Sequence, residues 1–137
     1  MSWNYHRQLQ DWATTVVPFA LPAAASAKTT SSAIDLGAPP IPEALELEVS
    51  FPALSATIIP DTKTVTLGFE ASNDSTFATG VVDGGYRIFT AANGAGVAAQ
   101  SLSIRPELDY QYWRAYVTLG ANTTTAAAIN ATPTVRV

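Results

Sequence analysis

Few side chains in this sequence could do chemistry. The single histidine, His6, would need a serine within hydrogen-bond reach and an orienting carboxylate to act as a base. A chain terminus is a poor scaffold for that geometry, so solvent or interface contact is the simpler expectation. Glu46 and Glu48 sit two residues apart, the spacing that puts paired carboxylates on one face of a strand for acid–base work. Glutamates on the solvent side of an alternating strand give the same pattern, and that reading is preferred. Glu107 and Asp109 share a loop with Tyr110, but calcium takes about six to eight oxygens and the neighbouring sequence offers few more. Asp83-Gly84-Gly85 lacks the surroundings of a phosphate or calcium loop and reads as turn chemistry. The chain has no cysteine, which excludes a thiolate nucleophile, a disulfide framework and a Cys-based metal site. No catalytic, metal or cofactor site is expected.

Composition points instead toward contact with other protein. Charged residues make up 13% of the 137 residues, against about 25% in an ordinary soluble domain. Ala, Ser and Thr take their place. A formal net charge of −4 with seven scattered basic residues argues against direct binding of nucleic acid, which needs clustered Lys and Arg. No apolar run approaches the roughly 18 residues of a membrane span. The stretch from Trp12 to Ala25, ending in Ala25-Ser26-Ala27, has the outline of a signal peptide. Thr14, Thr15, Pro18 and Pro22 break it and Asp11 opens it, so the segment is expected to stay on the chain.

The scaffold reads as β. From Ser101 to Gly120 a strand, a proline-marked loop and an aromatic strand follow one another. In the last of these Trp113, Ala115, Val117 and Leu119 alternate with Tyr112, Arg114, Tyr116 and Thr118, giving one core face and one amphipathic face. Leu45, Leu47, Val49 and Phe51 form a second alternating strand, and Val65, Leu67, Phe69 and Ala71 a third. Shorter strands are expected at 33–37, 57–59, 86–91, 100–104 and, as an edge, 133–137. Ser72–Gly85 reads as a loop, and 122–128 suits helix or strand equally. About eight short strands separated by turn signals predict an all-β fold, an antiparallel jelly roll or β-sandwich over 31–137. Residues 1–30 are assigned to an N-terminal arm, helical from Trp3 to Val16, where Tyr5, Leu9, Trp12 and Val16 recur at helical spacing. Beyond Pro18 the arm is extended.

The residues expected to bind a partner are Trp3, Tyr5, Leu9, Trp12 and Phe19 in the arm and Tyr112, Arg114 and Tyr116 on the aromatic strand. Tyr, Trp and Arg are the residue types that dominate protein–protein contacts.

Ser31-Ser32-Ala33-Ile34-Asp35-Leu36-Gly37, followed by a loop and the Leu-x-Leu-x-Val strand at Leu45–Val49, resembles the opening of the small cement (decoration) proteins of tailed-phage capsids. Val65-Thr66-Leu67 running into Ala71-Ser72-Asn73-Asp74, and Tyr112-Trp113-Arg114 leading into Tyr116-Val117-Thr118, are similar to later pieces in the same order. The likeness spans about Ser31 to Thr125. It implies a virion protein on the outer surface of the capsid. Its partners would be the major capsid protein and itself, as a trimer at local three-fold positions with a dimer as second choice. It would stabilise the expanded, DNA-filled head by binding alone, with no enzyme activity, cofactor, membrane or direct nucleic-acid contact. The alternative is a carbohydrate-binding jelly-roll module of a phage or bacterial surface structure.

Overall fold

The computed structural model describes residues 14–23, 27–40, 45–107, 109–120 and 125–136. The strands in chain order are β1 (Thr14–Thr15), β2 (Phe19–Ala20), β3 (Lys28–Thr30), β4 (Ile34–Asp35), β5 (Glu46–Phe51), β6 (Thr64–Ser72), β7 (Val82–Thr90), β8 (Gln100–Ile104), β9 (Tyr112–Leu119) and β10 (Asn130–Arg136). One sheet has the order β1-β10-β5-β8, with β2 also on β10; the other has the order β3-β9-β6-β7, with β4 also on β9. All pairings between these strands are antiparallel.

β1 and β2 meet β10 in succession, as Thr14↔Val135 and Thr15↔Thr134, then Phe19↔Ala131 and Ala20↔Asn130. They act as one interrupted strand. β3 and β4 do the same along β9, with the backbone N–H of Ser31 donating to the Ala115 carbonyl (2.9 Å) between them. Counted this way, eight strand positions alternate between the sheets along the chain, except for the β6–β7 hairpin that stays in one sheet. That is the jelly-roll topology.

The residues assigned to an arm and linker thus supply the first two strand positions. Thr14 and Thr15 are extended and paired, where the helical spacing had predicted the end of a helix; Trp3, Tyr5, His6, Leu9 and Trp12 lie outside the described residues. β10 is a central strand, not the expected edge, and it carries Pro133. The Pro133 carbonyl accepts from the N–H of Val16 (2.9 Å). In an antiparallel ladder the N–H and C=O of one residue point to the same side, so the donor that proline lacks is missing on the arm side. The β10–β5 ladder stays whole, and the break between β1 and β2 falls where the proline stands.

The core lies between the sheets, where the alternating apolar residues converge. Leu47, Val49 and Phe51 of β5 face Val65, Leu67, Phe69 and Ala71 of β6 and Trp113, Ala115, Val117 and Leu119 of β9, each at most 2% exposed. Burying each large member stabilises the fold by roughly 1.5–3 kcal/mol. Trp113 keeps its indole N–H satisfied by donating to the Tyr110 carbonyl (3.1 Å).

Local differences from the sequence reading have local causes. Residues 57–59 form a turn, because the N–H groups of Ile58 and Ile59 both bond the Ser55 carbonyl. Asp83, Gly84 and Gly85 belong to β7, not to a loop: the β6 register shifts between Phe69 and Glu70, and Gly84 is the extra residue of the bulge. A Cβ on Gly84 would lie 2.4 Å from the Trp113 ring, so glycine is what lets β7 pass over the tryptophan. The ambiguous segment 122–128 contains a short 3-10 helix, Thr125–Ala128.

Candidate functional site

The inward phase of Trp113, Ala115, Val117 and Leu119 puts Tyr112, Arg114, Tyr116 and Thr118 of β9 on the outer face of the second sheet. Pairing then decides their neighbours. Arg114 lies opposite Glu70, Tyr116 opposite Gly68 on one side and Thr30 on the other, and Tyr112 between Ser72 and Asp35. From β7, Tyr86 lies opposite Gly68 and Ile88 opposite Thr66.

At the centre is Glu70, 8% exposed. It is ion-paired to Lys28 and to Arg114, whose Nε and Nη2 both donate to Oε2 at 2.9 Å. Burial pushes the Glu70 carboxyl up, but the hydrogen bonds and charges of Lys28 and Arg114 outweigh it and hold the group below the usual glutamate range. The other face of the Arg114 guanidinium stacks on Phe77, 4.3 Å from the ring centroid. Lys28 also lies over the Tyr116 ring, 5.3 Å from its centroid. That ring occupies the space above Gly68, where a Cβ would come within 2.5 Å of it. Burial, helped by the charges of Asp83 and Glu70, pushes the Tyr116 phenol up to about 12.

Phe77 reaches Arg114 because the 73–80 loop is tightly laced. Asp74 accepts from the backbone N–H and hydroxyl of Thr76 through Oδ1 (2.9 and 2.7 Å) and from the N–H of Ala78 through Oδ2 (3.1 Å). Those bonds hold the Asp74 carboxyl below its ordinary value. Asn73 fastens the loop to its neighbour, donating to the Asp109 carbonyl (3.1 Å) and accepting from the N–H of Gln111 (2.9 Å).

The charged groups of this face are engaged with one another. The depression beside it, about 350 Å³, is shallow and lined by Lys28, Glu70, Val81, Val82, Asp83 and Tyr116, whose central carboxylate is already paired. Among the described residues no cluster of three or more His, Asp or Glu side chains is placed to hold a metal. Glu46 and Glu48 lie on the outer face of the first sheet, and Glu48 accepts from Ser103 and Arg136, both at 3.2 Å. Exposed large hydrophobics border this face, with Tyr86 55% and Ile88 56% exposed on β7 and Val81 just before it at 41%, while Val17, between β1 and β2, is 70% exposed.

Of the residues predicted to bind a partner, Tyr112, Arg114 and Tyr116 share this face, half-buried. Arg114 is engaged within its own chain. Phe19 is half-buried and packs on the chain's own core. Trp3, Tyr5, Leu9 and Trp12 fall outside the described residues. Sequence reading missed Glu70, Phe77, Tyr86 and Ile88. Glu70 had a signal, as the acid on the polar side of β6, but its register against Arg114 did not; Tyr86 and Ile88 were on an expected strand whose edge position the sequence does not encode.

No family model and no curated protein matches the chain. Among solved structures it is similar to a crystal structure of a protein from Sulfurospirillum deleyianum, with a TM-score of 0.44 and 6% identity over 92% of this chain and 97% of that one. It is also similar to PirA, with a TM-score of 0.37 and 11% identity over 91% of this chain and 90% of that one. Neither likeness carries an argument about function.

Proposed function

We propose that the chain is a capsid cement (decoration) protein, which binds the outer surface of a phage major capsid protein lattice and stabilises the expanded, DNA-filled head by contact alone. The observation that supports this most is the face just described. It is a sheet surface whose central carboxylate is paired internally with two cations, bordered by Tyr86, Ile88 and Val81 in solvent. Aromatic and aliphatic side chains held on a rigid scaffold bind with little loss of conformational entropy. The sequence likeness to cement proteins and the charge-poor composition support the same reading.

The physics required is modest. Packed DNA strains an expanded shell outward, and a subunit bridging two capsid proteins must be detached before they separate. Its binding free energy therefore adds to the cost of rupture. A standard interface covers about 800 Å² per partner, roughly a ninth of the 7090 Å² this chain exposes.

Co-sedimentation with expanded, empty heads tests the proposal. Wild-type protein is expected to pellet with the heads, and Tyr86→Ala combined with Tyr112→Ala to pellet much less while remaining folded. Failure of the wild type to bind heads, coupled with binding to a glycan array, would replace this reading with the carbohydrate-binding one.

A further inference from the structure

β7 is an edge. Among the described residues it pairs with β6 alone, and the direction of its unpaired groups follows from two bonds at its end. Ala91 donates its N–H to the Lys63 carbonyl (2.9 Å) and accepts at its own carbonyl from Thr62 (3.0 Å), so Ala91 faces β6. Alternation along an antiparallel strand then turns Phe89 and Arg87 toward β6 and turns Tyr86, Ile88 and Thr90 outward. The far side of β6 agrees: the Thr64 carbonyl accepts from Gly120, putting even-numbered β6 residues toward β9.

A free edge of this kind is usually blunted. The other edges here are: β1 has two residues, β3 three, and β8 carries Ser101 and Ser103 in solvent. On β7 the bulge at Gly84 spoils pairing only toward the start, and Tyr86–Thr90 runs regular, with Tyr86 and Ile88 exposed, Phe89 half-buried and Arg87 its one charge.

We infer that this edge is occupied by the β7 edge of a second copy of the chain, antiparallel, with a two-fold axis at Ile88. The outward groups of Tyr86, Ile88 and Thr90 must meet outward groups, which leaves few registers. Setting Tyr86 opposite Ile88 of the other copy puts the two Arg87 residues face to face at about 4.5 Å between Cα atoms, an unfavourable like-charge pair. Centring on Tyr86 runs each strand into the other's bulge. Centring on Ile88 pairs Ile88 with Ile88 and Tyr86 with Thr90 twice, forming about six hydrogen bonds. It also sets Arg87 against the Phe89 ring of the other copy, repeating across the axis the stacking each Arg87 already makes on its own Phe89 at 5.1 Å. The edge is thus self-complementary in hydrogen bonding, charge and apolar contact. An antiparallel pair is two-fold, so it selects the dimer over the trimer among the oligomers that the resemblance implies.

The inference rests on the capsid reading only for the dimer's use, because its test contains no capsid. The chain lacks cysteine, so Ile88→Cys introduces a single thiol at the axis. Cα atoms of a hydrogen-bonded pair lie about 5.5 Å apart, within disulfide range. Mild oxidation of the full-length variant is expected to give a covalent dimer, while Thr66→Cys, one strand in on the same face, stays monomeric. Sedimentation equilibrium should show a wild-type dimer. Ile88→Pro removes only an outward N–H and leaves the β6 ladder intact, and should weaken association at least about 100-fold. A wild type that is monomeric at every concentration, or equal cross-linking at positions 88 and 66, would overturn the pairing. A chain that dimerises yet ignores heads would retain the pairing and lose the proposed function.

Discussion

Replacing Arg114 by alanine separates a strut from a contact. In the folded chain the guanidinium makes two 2.9 Å bonds to Glu70 and stacks on Phe77, and the two ion-paired side chains are 23% and 10% exposed. A charge-assisted hydrogen bond contributes about 1.5–3 kcal/mol and a partly exposed stack about 0.5–1 kcal/mol. Lys28 remains to neutralise Glu70 and keeps part of the pairing, although its side chain is 43% exposed. The expected loss is therefore about 2–3 kcal/mol at pH 7, or a fall in Tm of roughly 6–12 °C for a domain of this size. Arg114→Lys should recover only part of it, since an ammonium keeps the charge and forfeits the fork and the stack. Acid supplies an internal check. The folded Glu70 carboxyl sits below its ordinary value of 4.5, so its stabilisation is present above that pH and fades as pH falls through the folded value. Chemical denaturation followed by circular dichroism should show wild type and Arg114→Ala converging in strong acid. A neutral-pH difference under about 0.5 kcal/mol, with head binding abolished, would refute the assignment and make Arg114 a contact residue.

Other outcomes follow from the same geometry. The Tyr116 phenol is pushed up to about 12 from 10.0, so folding favours its neutral form. That stabilisation holds below pH 10 and is lost between about 10 and 12, and Tyr116→Phe should remove this part of the alkaline slope in a denaturation series. Deleting residues 1–12 should leave the jelly roll stable and, with Trp3, Tyr5, Leu9 and Trp12 gone, reduce head binding. Deleting residues 1–22 should cost at least about 3 kcal/mol and promote aggregation, since it removes β1, β2 and the buried Leu21 and bares β10; equal stability of the two deletions by thermal melt would contradict the shared-strand topology.

The alternating strands were legible because burial on one face writes itself as period two. Leu47-Val49-Phe51, Val65-Leu67-Phe69 and Trp113-Ala115-Val117 all face the core as their spacing demands. Pairing partners were not legible, because register depends on which strand arrives alongside. Hence Arg114 was identified without Glu70. The arm misled for a related reason. Thr14–Ala20 is short, broken opposite Pro133 and poor in alternation, so nothing local marks it as a strand; β10 makes it one. Asp83-Gly84-Gly85 has turn composition, yet its glycines serve a bulge that clears Trp113.

A cement protein, as proposed, acts by being held on a shell of larger subunits. Electron microscopy of purified virions carrying the protein, compared with virions lacking it, shows whether this one does. Discrete external densities at repeating lattice positions are expected, vanishing in its absence, with heads that rupture more readily without them. Identical, equally robust heads in the two preparations would contradict the proposal.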